Sequence, residues 1–380
     1  MKSWYSKDFK VGVLGGGQLG RMLMQEAVNY DIKLCMMDKD PSAPCSRFSH
    51  EFTNNDILDY EAVLEFGKDK DVITVEIENV NIEAYEELER QGKKVFPQPS
   101  VLKTVRDKGV QKNFFKENNL PTPPYYLVEN KAEISKYEQE FPFMQKMRVG
   151  GYDGRGVQAL KTLSDLDKAF DAPSVLEKFV DFEKEISVIV ARNENGEISH
   201  FPVVECQFNP EVNLVEFLFS PAQISEAIEE DAISIARRTI EALGMVGLLA
   251  VEMFVTKDGR VLINEIAPRP HNSGHHTIEC NVTSQYEQHL RAILNLPLGS
   301  TKMLRPGVMV NLLGEPGYEG NVKYEGLEDA MKIPGVKAHI YGKAQTKPYR
   351  KMGHVTATAP LLQEAVDKAR KVQEIVKVKA

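Results

Sequence analysis

Short apolar runs alternate with stretches of helical period through the first hundred residues of this chain. Lys10–Leu14, 32–37, Val72–Val75 and 94–96 read as strands, with amphipathic segments between them. Strands alternating with helices in this way predict a parallel α/β sheet. A helical stretch covers about 99–119, and Leu120-Pro121-Thr122-Pro123-Pro124 is a stiff breaker that marks a change of unit. Residues 125–178 then read as strand, helix, strand, glycine-rich loop, strand, helix and strand, a small α+β unit. From about 184 to 219 strands run consecutively, and a long helix near 223–243 leads into strands at 246–255 and 260–266. That is the pattern of a second, mostly antiparallel sheet. Further short strands follow from about 300, then an amphipathic helix near 361–376, so the expected units are 1–98, 99–178, 179–298 and 299–380.

Composition narrows the class. The chain has 380 residues, 42% hydrophobic and 27% charged, which is ordinary for a globular protein of a few domains. Lys plus Arg number 47 against 55 Asp plus Glu, a net charge of −8 without a block of five like charges. Attraction of the whole molecule to nucleic acid or an anionic membrane is not expected. Cys35, Cys45, Cys206 and Cys280 form no CxxC pair and lie far apart, which suits reduced thiols better than zinc or disulfides. The N-terminal residues lack an apolar targeting core, and no apolar run approaches a membrane span. The expectation is a cytoplasmic protein.

Gly15, Gly17 and Gly20 form GxGxxG directly after the first strand and at the mouth of a helix, and Asp38 ends the second strand. Alone, these are the fingerprint and ribose-binding acid of a dinucleotide site, so an NAD(P)-dependent oxidoreductase is one reading. A helix N-terminus reached by a tight glycine turn also receives other anionic or polar ligands, and a purely structural turn has the same sequence.

Asp258-Gly259 between two apolar strands has the sequence of a two-residue hairpin turn. With that turn Lys257 faces Arg260, Phe254 faces Ile263 and Ala250 faces Ala267. Glu252 and Glu265 then fall directly opposite each other on one face, roughly 5 Å apart. Two carboxylates in apolar surroundings repel unless they share a proton or a cation. Hard oxygens at this spacing suit magnesium, which completes its shell with substrate phosphates and water. The alternative is a solvated sheet face bearing two ordinary glutamates. Upstream, a strand carrying Lys146 runs into Arg148-Val149-Gly150-Gly151-Tyr152-Asp153-Gly154-Arg155-Gly156. This is not a Walker A loop, because the lysine precedes the glycines. Its N–H groups suit a flap over a polyphosphate, the alternative being a mobile linker.

Lys146 before a glycine flap, then Val175-Leu176-Glu177-Lys178-Phe179-Val180, Glu185, Glu252 and Glu265, resembles the ATP-grasp ligases over residues 100–300. Gly15-Gly16-Gly17-Gln18-Leu19-Gly20-Arg21-Met22, Val75-Glu76-Ile77-Glu78-Asn79-Val80, the flap, and Asn264 to His275 are similar, more narrowly, to the 5-(carboxyamino)imidazole ribonucleotide synthases over essentially the whole chain. The resemblance implies an ATP-grasp fold: an N-terminal Rossmann-like domain, a small lid unit, a large mixed or antiparallel sheet and a C-terminal extension. It also implies ATP-dependent carboxylation of aminoimidazole ribonucleotide with bicarbonate, and commonly a homodimer.

The implied roles fall on individual residues. Arg106 and Lys146 hold ATP phosphates under Gly151, Gly154 and Gly156. Glu177, Lys178 and Val180 line the adenine pocket, Glu185 takes the ribose hydroxyls, and Asn264 borders the ATP site. Glu252 and Glu265 carry magnesium; the Asn of a Glu-x-Asn metal motif is replaced here by Ala267. Tyr152, Asp153, Arg155, Arg269, His271 and Asn272 meet bicarbonate, carboxyphosphate and the imidazole. Gly16, Gln18, Glu76, Lys343 and Arg350 hold the ribonucleotide, the last two at its 5′-phosphate. Each has a plainer alternative: a helix-end cap for Arg106, strand-edge charge for Glu177 and Glu185, a solvated basic stretch for 343–351. The His271 loop, read in isolation, suggests a transition metal, but it lacks a carboxylate or cysteine at ligand spacing, which favours an anion-binding loop.

Overall fold

The computed structural model describes residues 2–151, 156–209 and 214–380. Strands β1 (Lys10–Leu14), β2 (Lys33–Asp38), β3 (Glu51–Asn54), β4 (Val72–Val75) and β5 (Lys94–Val95) form an all-parallel sheet in the order β3-β2-β1-β4-β5. Helices α1 (Gln18–Asn29), α2 (Tyr60–Gly67) and α3 (Ile82–Arg90) connect them. β4 is buried along its whole length, as expected of a central parallel strand covered on both faces. β3 escaped the sequence reading because it is an edge strand in which no residue is fully buried. The strand order reverses between β1 and β4, and it is beyond the carboxyl ends of such strands that open α/β sheets bind ligands.

The expected single helix over 99–119 is two, α4 (Pro99–Arg106) and α5 (Lys108–Glu117). Asp107 between them is extended and caps α5, accepting from Gly109 N at 2.7 Å. A four-stranded antiparallel sheet follows, made of β6 (Tyr125–Val128), β7 (Phe143–Met147), β8 (Val157–Leu160) and β9 (Ser174–Lys178) in the order β6-β9-β7-β8. The two expected helices of this unit are 3₁₀ segments, the first broken at Tyr137 by non-helical backbone angles.

Among the described residues the third sheet has nine strands. Those from the middle of the chain are β10 (Phe182–Arg192), β11 (Ile198–His200), β12 (Val204–Asn209), β13 (Leu214–Ser220), β14 (Gly247–Thr256) and β15 (Val261–Ala267). β16 (Gly307–Leu313) and the strands Lys351–Thr358 and Val336–Ile340 extend it in the order β15-β14-β10-β12-β13-β16 and onward, so the last eighty residues complete a sheet begun before them. Helix α6 (Glu226–Ala242) buries Ala232, Ile235, Ala236 and Ile240 against Val188, Val190, Leu249 and Val251 on one face. The opposite side of the β14–β15 hairpin carries the glutamates. Among the described residues no helix is long and apolar enough to cross a membrane.

Candidate active site

Glu252 does lie opposite Glu265, but not through the expected turn. Beyond the pair the register is Met253 with Ile263, Phe254 with Leu262 and Val255 with Val261. The loop therefore contains three residues, Lys257-Asp258-Gly259, with Gly259 at φ +80° and its N–H bonded to Thr256 O. A bulge at Asn264 then restores the pairing of Glu252 with Glu265. The longer loop and the bulge offset each other, and Phe254 faces Leu262 instead of Ile263. The bulge also has chemical use, since an extra residue re-aims its side chain: Asn264 Oδ1 accepts from Lys146 Nζ at 2.7 Å.

Charge around the pair is strongly asymmetric. Lys108, the first residue of α5, places Nζ 2.8 Å from Glu265 Oε2, and its charge holds the Glu265 carboxyl below the usual range. Burial, with the charges of Glu265 and Glu185 added, pushes Glu252 upward. Glu185 is pushed up to about 7, mainly by burial. One carboxylate of the pair thus has an ammonium partner and the other has none, where a divalent cation would satisfy both. Among the described residues no group of three or more His, Cys, Asp or Glu is placed to hold a metal. Two carboxylates with open positions fit magnesium, which takes its remaining ligands from phosphates and water.

Glu177 does not turn its carboxylate outward. It is buried between Lys146 Nζ at 2.9 Å and Lys112 Nζ at 3.1 Å, and against the penalty of burial these two charges hold it below the usual range. Burial lowers Lys112 to about 8. Lys178 Nζ pairs with Glu140 at 2.7 Å, so the segment leaves Phe179, half-buried Val180 and its backbone for a ligand. Arg106 is not brought to the cluster: it donates to Val80 O at 2.9 Å and to Asn79 Oδ1, tying α4 to the loop after β4.

The flap is anchored at its base. Arg148 makes a two-pronged ion pair with Asp107, at 2.9 Å and 2.7 Å, and Lys108 N donates to Arg148 O. Gly156 has φ +71°, and a Cβ there would lie 3.2 Å from Gly151 Cα, so the ends of the flap touch across a neck that side chains would block. Tyr152, Asp153, Gly154 and Arg155 lie outside the described residues.

Past β15 the chain forms the loop that carries the remaining expected residues. His271 Nδ1 is 2.9 Å from Ser273 Oγ, which is 2.9 Å from Ser187 Oγ, and 3.7 Å from Glu252 Oε1. Gln285 clamps the loop by accepting from His271 N and donating to His271 O. Arg269 Nε lies 2.9 Å from Glu78 Oε1, an ion pair by distance though the N–H is not aimed at that oxygen. Both polar side-chain atoms of Asn272 are buried without a hydrogen-bond partner among the described residues, as expected of groups that wait for a ligand or water.

At the switch point the glycine loop is occupied by the protein's own carboxylates. Leu19 N donates to Glu76 Oε1 at 3.0 Å and Gly16 N to Asp38 Oδ2 at 2.8 Å. A Cβ at Gly17 would lie 2.5 Å from Glu76 Oε1. The N-terminus of α1 thus receives a glutamate where a dinucleotide fold receives a pyrophosphate, and this removes the NAD reading. The charges of Arg269 and Lys343 act on Glu76, so the glycine loop, the 268–275 loop and the tail border one region. Lys343 Nζ donates to Lys351 O at 2.8 Å and Arg350 Nη1 to Gln345 O at 2.7 Å; half-buried Gln18 stands beside Glu76 at the start of α1.

Lys108, Lys112, Ser187 and Ser273 were not singled out from the sequence. Two of them left a signal. A lysine in the first turn of a helix opposes the macrodipole and asks for an acid, which for Lys108 is Glu265. Lys112 shares one helical face with Gly109 and Phe115, where a charge needs a buried partner.

Comparison with known proteins agrees with this geometry. Residues 9–106 match the ribonucleotide synthetase preATP-grasp domain, 113–286 the ATP-grasp domain and 307–368 the phosphoribosylaminoimidazole carboxylase C-terminal domain. The N5-carboxyaminoimidazole ribonucleotide synthase of Bacillus subtilis is 38% identical over 91% of this chain and 90% of its own. The crystal structure of the Thermotoga maritima N5-carboxyaminoimidazole ribonucleotide synthetase superposes with a TM-score of 0.90 at 44% identity, covering 98% of this chain and 99% of that one. An Aspergillus clavatus synthase in complex with ADP and 5-aminoimidazole ribonucleotide gives a TM-score of 0.88 at 33% identity, covering 97% and 98%. The chain spans 63% of the length of the phosphoribosylaminoimidazole carboxylase of Vigna aconitifolia, to which it is 40% identical over 91% of its own length. With two sheets joined at a lysine–carboxylate cluster and near-complete coverage of these relatives, the chain belongs to the N5-carboxyaminoimidazole ribonucleotide synthase family of ATP-grasp proteins.

Proposed function

We propose that this protein carboxylates 5-aminoimidazole ribonucleotide to 5-(carboxyamino)imidazole ribonucleotide with ATP and bicarbonate, releasing ADP and phosphate, as a step of purine biosynthesis. The reading implies a cytoplasmic homodimer. The observation that carries it is the opposed pair Glu252 and Glu265 facing Lys108 and Lys146 beside a glycine flap. Bicarbonate is a poor electrophile, and attack of its oxygen on the γ-phosphorus of ATP gives carboxyphosphate, which the exocyclic amine of the ribonucleotide can capture. Glu252 and Glu265 would hold magnesium, which when bound would supply positive charge to the transferring phosphoryl group. Lys146, oriented by Glu177 and Asn264, and Lys108 add charge that is already in place, so little reorganisation is required. Gly151 and Gly156 at the neck of the flap suit a lid that keeps water from an intermediate that hydrolyses. His271 is held by Ser273 and Gln285 where it can position the carboxyl group, with Arg269 and Asn272 beside it.

The experiment is a release assay. With magnesium and bicarbonate, ADP and phosphate should form much faster when 5-aminoimidazole ribonucleotide is added. Formate should not replace bicarbonate, and NAD and NADP should not bind. Micromolar NAD affinity, or ADP release that depends on formate and ignores the imidazole, overturns the reading.

Lys343 and Arg350 extend it to the 5′-phosphate. Losing one charged hydrogen-bond partner costs on the order of 2 kcal/mol, about thirtyfold. Lys343→Ala and Arg350→Ala should therefore raise KM for the ribonucleotide by that factor while KM for ATP stays put. An equal rise in both would remove them from the site.

A further inference from the structure

The glycine of Tyr341-Gly342-Lys343 has two physical reasons to be there. Its φ is +81°, and a methyl group at 342 would collide with Arg21 Nη1. The guanidinium of Arg21, one turn into α1, is therefore pressed against the backbone of the tail just before Lys343. On its other side it lies over the ring of Phe48, 4.6 Å from guanidinium carbon to ring centroid. Phe48 is an exposed aromatic, 59% accessible, and Arg21 holds it to the same rim.

Its lack of a counter-ion sets Arg21 apart. Among the described residues its side chain makes neither a hydrogen bond nor an ion pair, although it is only partly exposed and its planar fork offers five donors. A ring face is a weak partner for a guanidinium that could take a carboxylate. Its neighbours add more positive charge. Gly342 leads directly to Lys343, and the Arg21 charge acts on Tyr324, whose hydroxyl bonds Met352 O two residues beyond Arg350. Glu76 and Asp38, at the mouth of α1, accept from Leu19 N and Gly16 N, and Glu26 on α1 accepts from Ser284 Oγ. A guanidinium with no acid paired to it, set against the backbone just before Lys343, is a place for an anion, and a planar fork fixed by an aromatic face matches the oxygens of a phosphate monoester.

We propose that Arg21, clamped between Phe48 and Gly342, is a third cation of the substrate-phosphate site and makes the enzyme prefer the 5′-phosphorylated nucleotide over its nucleoside. This rests on the reading of Lys343 and Arg350 as phosphate ligands, and adds a residue from the first domain to that pair. It ties α1 to the tail through the ligand, so the nucleotide draws together the first and last segments of the chain.

The test compares two ligands on three proteins. Binding of 5-aminoimidazole ribonucleotide and of 5-aminoimidazole riboside, which lacks the phosphate, is measured by calorimetry on the parent, Arg21→Met and Arg21→Lys. Arg21→Met should weaken the ribonucleotide about tenfold or more and leave the riboside and KM for ATP unchanged, with Arg21→Lys falling between. Equal weakening of both ligands, or an unchanged preference for the ribonucleotide, overturns the assignment of Arg21 and leaves Lys343 and Arg350 in place. A parent protein that binds both ligands equally removes the phosphate site altogether, and Arg21 with it. If Arg21→Met does not fold, Arg21→Gln, which keeps a planar polar head over Phe48, is read against the same two ligands.

Discussion

Glu252→Gln is expected to lower ADP release by three orders of magnitude or more, yet to melt in EDTA at or above the temperature of the parent. The first effect follows from removing one of two carboxylates placed for magnesium, on which a phosphoryl transfer depends for neutralising charge. The second follows from the carboxylate pair itself. Glu252 is pushed upward by burial and by Glu265 and Glu185, so without metal its ionised form is a liability that glutamine does not have. Its folded value lies above its unfolded one, so the stability it contributes is fully present below the ordinary glutamate value and is lost as pH rises through the folded value. Glu185, raised to about 7, has the same sign. The metal-free parent should therefore lose melting temperature from about pH 4.5 to above pH 7, and Glu252→Gln should flatten that slope. Thermal melts across pH in EDTA, paired with a coupled ADP assay, check both halves. Near-parental turnover at ordinary magnesium would remove Glu252 from the metal site.

The second large effect separates Lys146 from the residue that holds it. Glu177 compensates two buried ammonium groups at 2.9 Å and 3.1 Å. Glu177→Gln takes from both their direct ion-pair partner, which costs about 3–5 kcal/mol and lowers the melting temperature by roughly 10 °C. Lys146→Met leaves Glu177 still paired with Lys112, so the fold should survive with a small loss while turnover falls at least a hundredfold for want of the charge facing the phosphates. Calorimetric melts beside kcat measurements give the contrast. A stable Glu177→Gln protein, or Lys146→Met with parental kcat, would show that this triad is not the support of the site.

The two-carboxylate deduction shows how far reading along the chain can go and where it stops. Alternation along β14 and β15 put Glu252 and Glu265 on one face, and that holds. The counting behind it does not, because loop length and bulges depend on backbone torsions such as that of Gly259 and on what a re-aimed Asn264 gains from Lys146, and neither is a property of period-2 patterning. The helix over 99–119 was legible as apolar periodicity, whereas its break at Asp107 was set by the competition of a carboxylate for backbone N–H groups and by Arg148 from the flap.

Hydrophobic periodicity along the chain determined most of the strands and put Glu252 and Glu265 on one face, because it is a local property that each segment carries by itself. Motif resemblance added the family. The tertiary structure alone decided which charges meet: Lys108 on Glu265, Lys112 behind Glu177, Glu76 across the mouth of α1, and Arg21 between Phe48 and Gly342. These partners come from segments far apart in sequence, and their pairing depends on distance and burial. Electrostatic energy varies inversely with separation and with the local dielectric, and neither exists until the sheets have packed.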